Sequence, residues 1–146
     1  MLIMPNHLLW ILLLTLLLAA CSERDGNDSV SETQKYYFLE SLKLVEQAGR
    51  ELQGKALTQA EITQALETMD QGLKLAFQVE NEFLDTLDAR LGKNFQRFFV
   101  KGVETYRLGI EAGVRGDQEA GLELLGQWAQ FWSAEQAAIS VKLHPR

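Results

Sequence analysis

The chain of 146 residues has one cysteine (Cys21), two histidines (His7, His144) and two prolines (Pro5, Pro145). A solitary cysteine excludes an intramolecular disulfide. His7 lies in the apolar leader, and His144 stands beside Pro145 near the last residue. The body between them therefore has no histidine for a zinc site or for a Ser-His or Cys-His nucleophile pair. Glycines occur singly, at helical spacing, so no glycine-rich phosphate loop is present. Prolines at the two extremes leave nothing between them that breaks a helix. Basic residues are the minority, 14 against 20 acids for a net charge of −6. That balance argues against nucleic acid as a partner and offers no polybasic route to anionic lipid. These absences predict a protein that is not an enzyme and has no metal and no cofactor.

Charge is missing altogether from residues 1–20, and the thirteen residues Leu8 to Ala20 are apolar except for Thr15. A membrane-spanning helix needs about 20 apolar residues, whereas an export signal has an apolar region of roughly 7–15 followed by small residues. Leu18-Ala19-Ala20-Cys21 resembles the lipobox of bacterial lipoproteins. The resemblance covers about the first 21 residues only. It implies cleavage before Cys21, a diacylglyceryl group on the thiol and acylation of the new amino terminus. Ser22, where an Asp would favour inner-membrane retention, implies an outer-membrane, periplasm-facing protein. A bare thiol in an oxidising compartment would be a reactive liability. Acyl chains contribute about 0.8 kcal/mol per buried methylene, and stable anchoring takes more than one of them. The expected partner of this end of the chain is thus the membrane, held through the acyl chains on Cys21.

Downstream of residues 1–20, the predicted signal peptide, residues 21–34 read as a lipidated tether. Ser22 to Gln34 contain one apolar residue, Val30, the composition of a solvated coil. Residues 35–146 read as the folded domain. They show no strand alternation and no β-branched run; apolar residues recur three and four apart instead. Helix 1 is expected from about Glu32 to Gln53, burying Phe38, Leu42 and Val45. The capping box Thr58-Gln59-Ala60-Glu61 opens helix 2, expected to continue to about Leu91 along Ile62, Leu66, Met69, Leu73, Phe77, Leu84 and Leu87. Helix 3 is expected from Asn94 to Val114, with Phe95, Phe99, Val103, Tyr106 and Ile110 inward. Gly116 would end that stretch, and Asp117 would cap helix 4, running to about Val141. Short connections make neighbours antiparallel, so the predicted fold is an all-α, antiparallel four-helix bundle. Folding back at residues 92–94 sets Leu84, Phe77 and Leu73 against Gly102, Gly109 and Gly113 as packing notches. The next fold-back sets Ile110 against Gly121, Gly102 against Ala129 and Phe99 against Trp132.

Three constellations stand out in this pattern. Glu80 falls inside helix 2's apolar stripe, where an unpaired carboxylate is costly. Tyr106 falls opposite, so the pair is either a buried hydrogen bond or a polar spot for a ligand in the core, unless a kink turns Glu80 to solvent. Residues 61–88 hold seven acids against Lys74, and residues 90–107 hold five bases against Glu104. Either these helices neutralise each other or the bases form a docking patch. Leu124, Trp128 and Phe131 extend beyond helix 4's core face, as packing for another neighbour or as a ridge for a partner. Residues 106–128 resemble a tetratricopeptide-type hairpin, but a solenoid needs about three copies and no second one is present. The functional expectation is an envelope assembly, targeting or maintenance lipoprotein that binds another envelope protein. The alternatives are an immunity, inhibitor or exclusion lipoprotein, or a binder of an apolar small molecule in the bundle core.

Overall fold

A computed structural model describes residues 29–54 and 56–144. The predicted signal peptide and lipidation site Cys21 lie outside the described residues. The described residues form helices joined by short turns, with no strand among them. α1 spans Ser29–Leu52, α2 Gln59–Ala76 and α3 Asn81–Leu87. α4, Leu91–Asn94, runs through a π-helical segment, Phe95–Val100, into α5, Lys101–Ala112, as one continuous rod. α6 spans Arg115–Leu143. The all-α class is as the periodicity predicts. α1 packs on α2 as one hairpin, and the α4–α5 rod packs on α6 as a second.

α1 begins at Ser29, inside the stretch expected to be tether. Its Gln34 is 6% exposed, so the fold recruits the polar residues ahead of the first apolar stripe. The capping box forms as expected: Glu61 N–H donates to the Thr58 hydroxyl, and Thr58 N–H donates to the Glu61 carboxylate at 2.7 Å. The Thr58 N–H and hydroxyl, both donating to the Glu61 carboxylate, hold it below its usual range.

Helix 2 is not continuous. α2 stops at Ala76, and Phe77 to Glu80 turn the chain before α3. Gln34 of α1 bridges the break. Its Nε2 donates to the Gln78 carbonyl at 3.1 Å, and its Oε1 accepts from Glu80 N–H at 2.7 Å. Backbone groups freed where a helix ends require partners, and one side chain here satisfies one on each side of the turn. Val79, 5% exposed, takes the inward position, while Phe77 is 56% exposed. At the far end of α3 the Lys142 ammonium donates to the Leu87 carbonyl at 2.7 Å. Leu91, the expected end of helix 2, instead opens α4, and the N–H of Gly92 beside it donates to the Asp85 carboxylate at 3.2 Å.

The π-helical segment explains how α4–α5 presents so wide an apolar face. In an α-helix residues five apart diverge, whereas a π turn brings them into line. Phe95, Phe99 and Val100 are all buried, and the rings of Phe95 and Phe99 stack at 5.0 Å. The core that joins the hairpins is aromatic. Phe38 of α1 meets Phe95 at 5.3 Å and Trp132 at 5.7 Å, both edge-on, and Trp128 lies 5.5 Å from Phe99 and from Trp132. Such edge-on, tilted and stacked pairs add stabilisation beyond their buried area.

The register between α5 and α6 differs from the expected one by about one helical turn. Gly121 lies against Tyr106 rather than Ile110, Gly102 against Leu125 rather than Ala129, and Phe99 against Trp128 rather than Trp132. The cause is the turn itself. Gly113 adopts the left-handed conformation (φ 68°) as the C-cap, so α6 starts at Arg115 and Asp117 falls in its first turn. Gly102 and Gly109 are notches, but for α6: a Cβ on Gly109 would stand 2.6 Å from the Gln118 nitrogen.

Candidate functional site

Glu80 is solvent-exposed, as the N-cap residue of α3. The break between α2 and α3 turns it outward, so the expected buried Glu80–Tyr106 hydrogen bond does not form. Tyr106 instead lies half-buried over Gly121, whose absent side chain leaves the room it occupies. Burial pushes its phenol above the ordinary value. The buried carboxylate is elsewhere. Glu46 of α1 is 2% exposed, with the Arg50 guanidinium at 3.2 Å. Desolvation raises its pKa and Arg50 opposes the rise. The folded state is therefore favoured with Glu46 protonated, and that contribution is lost as pH rises from the usual carboxylate value through the raised one. Helical spacing alone does not mark Glu46, which lies beside Val45 of the core face.

The aromatic ridge of α6 is interior rather than exposed. Trp128 is fully buried among Phe95, Phe99 and Trp132, and its indole N–H has no acceptor among the described residues. Leu124 is half-buried against the Gly102 notch. Phe131 is covered from outside by Arg90, whose guanidinium carbon sits 5.5 Å from the ring centroid. Arg90 also reaches Asp88 at 3.0 Å and Glu135 at 2.8 Å, fastening the start of the α4–α5 rod to α6. Its hydrogen bond holds the Asp88 carboxyl below the usual range. Of the two readings of Leu124, Trp128 and Phe131, a ridge for a partner or packing for another neighbour, their positions fit the second, since all three lie against the protein's own helices.

Between the opposite charges of residues 61–88 and 90–107 the ion pairs among the described residues give one link, Asp88 with Arg90 where α3 meets α4. Lys74 pairs with Asp70, Lys101 with Glu104 and Arg107 with Glu111, each within its own helix. Lys93 and Arg97 are exposed, with no carboxylate at ion-pair distance among the described residues. Arg97 lies over the Phe98 ring at 5.3 Å.

Two surfaces remain. At the end where α1 begins, a groove of about 470 Å³ is lined by Lys35, Phe83, Thr86, Leu87, Val141 and Lys142, among others. His144 lies close by, its imidazole pKa lowered by burial and by the Lys35 charge. Tyr36, Phe77 and Val141, exposed at 56%, 56% and 71%, belong to this same end. At the opposite end, around the Gly113 turn, Leu108 and Val114 are 47% and 44% exposed. Among the described residues no cluster of His, Cys, Asp or Glu could hold a metal ion, and no helix is long and apolar enough to cross a membrane. Comparison with protein-family models, curated proteins and solved structures returned no match.

Proposed function

We propose that this chain is a bacterial lipoprotein, cut before Cys21 and acylated there, whose helical domain faces the periplasm from the outer membrane and binds another envelope protein. The observation that carries the reading is the seam Leu18-Ala19-Ala20-Cys21, where the apolar run ends at the only cysteine, eight positions before α1 begins. The partner-facing surface moves from Leu124, Trp128 and Phe131 to Leu108 and Val114, the exposed apolar residues at the end remote from the anchor. Exposed apolar residues away from the proposed anchor support a role in envelope assembly, targeting or maintenance. The small-molecule alternative loses its basis, since Glu80 is not in the core.

Metabolic labelling with an acyl-chain probe tests the anchor: the wild-type chain takes label, and Cys21→Ser takes none. Label persisting in Cys21→Ser would sink the assignment. Site-specific photocrosslinking in cells from positions 108 and 114 tests the binding surface. A defined envelope protein should be trapped, and trapping from position 108 should vanish with Val114→Glu, and from position 114 with Leu108→Glu, while the melting temperature holds. A toxin or component of an incoming element trapped in its place would instead make the protein an immunity or exclusion factor.

A further inference from the structure

We infer that the end of the bundle where α1 begins is a membrane-resting face, and that it settles into the headgroup layer of zwitterionic phospholipid. The inference rests on the anchored reading of Cys21 and adds an orientation to it. Seven residues separate Cys21 from Ser29. Even fully extended they span only about 25 Å. An acylated Cys21 therefore holds this end, and not the Gly113 end, against the bilayer.

The side chains gathered there suit that layer. Gln34 bonds Gln78 and Glu80 across the α1–α2 contact, which sets Tyr36 and Phe77 at the same level of the bundle. Val141, the most exposed large apolar residue among the described ones, lines the neighbouring groove with Phe83. Aromatic rings with a polar tip or rim partition to the membrane interface, and lysines keep their stems in apolar surroundings while the ammonium stays wet. Lys35 and Lys142 flank the groove in that manner. An apolar exposure of this kind at the anchored end has an occupant in reach whatever else the protein binds.

Charge selects the kind of lipid. The same end carries Glu32, Glu80, Glu82 and Asp85 against Lys35 and Lys142, and residues 22–28 add Glu23, Asp25 and Asp28 against Arg24, so acids stay in excess. Anionic headgroups would be repelled, so contact depends on the apolar side chains and is strongest on a neutral surface.

The test uses the chain from Cys21 to Arg146, which contains every described helix, with Cys21 coupled chemically to a maleimide phospholipid. Coupling makes the outcome independent of whether cells acylate Cys21, which the labelling experiment reads separately. A photoreactive benzoylphenylalanine is placed in turn at 36, 77, 141, 108 and 114, and each variant is checked by its thermal melt. On phosphatidylcholine vesicles, illumination should give phospholipid adducts at 36, 77 and 141 and none at 108 and 114. Adding phosphatidylglycerol should lower the adduct yield. Equal yields at all five positions, no adducts at the first three, or adducts to a second copy of the chain would each overturn the inference. So would a yield that rises with phosphatidylglycerol.

Discussion

Single atoms decide how closely α5 and α6 approach. A Cβ on Gly121 would stand 2.5 Å from the Tyr106 backbone nitrogen and 2.6 Å from its Cβ. Backbone cannot rotate out of the way as a side-chain tip can, so Gly121→Ala must separate the helices. Overpacking of this kind costs about 1–3 kcal/mol. Gly116, five residues earlier in the same helix, would place its Cβ in open space. There the intrinsic helix preference of alanine prevails, and Gly116→Ala should stabilise by about 0.5–1 kcal/mol. Urea unfolding of both variants, at unchanged slope, checks the pair. Equal effects would mean that helix propensity, and not the α5–α6 approach, governs both positions. The sequence marks Gly121 as a contact for α5 and Gly116 as a helix end; the register set by Gly113 turns the first onto Tyr106 and leaves the second inside α6 with open space beside it.

Among elements, the junction between α2 and α3 is the one where sequence periodicity fails. Phe38, Leu42 and Val45, and then Phe95, Phe99 and Val103, are buried where their three-and-four spacing places them. Such stripes are legible because burial of one helix face is a local pattern. The break at Phe77–Glu80 has no proline or glycine to announce it. Its stabilising partner, Gln34, is 44 residues away from Gln78 and 46 from Glu80. One trace was visible: a carboxylate in an apolar stripe marks the point where the inward position slips from Glu80 to Val79. Gln34→Ala should leave the Gln78 carbonyl and Glu80 N–H unpaired, at a cost of about 1–3 kcal/mol. Amide exchange at Glu80 should accelerate with it. Glu80→Ala, at an exposed position whose backbone does the bonding, should stay within about 0.5 kcal/mol of wild type. A large loss from Glu80→Ala would restore a structural role for the carboxylate.

At the scale of the whole molecule, two hairpins share one aromatic core, and Phe38 is α1's ring in it. It is fully buried and edge-on to both Phe95 and Trp132, which belong to different helices of the second hairpin. Truncating a buried phenylalanine costs about 3–5 kcal/mol, a large share of the roughly 5–15 kcal/mol that keeps a domain folded. The damage from Phe38→Ala should also be uneven. Within the second hairpin, Gly102, Gly109 and Gly121 still bring α5 and α6 together, and the rings of Phe99, Trp128 and Trp132 still meet. Within the first, Gly72 still receives α1 at Leu44 and Val45. What Phe38→Ala removes is the ring that touches both helices of the second unit, so the contact between the units weakens more than either hairpin and unfolding should cease to be a single transition. The near-ultraviolet dichroism of the tryptophans and the far-ultraviolet helical signal should melt together in wild type and at separate temperatures in the variant. Coincident melts shifted downward together would show that the remaining interfaces, such as α2 on α5 and Lys142 on the Leu87 carbonyl, suffice to keep the hairpins one cooperative unit.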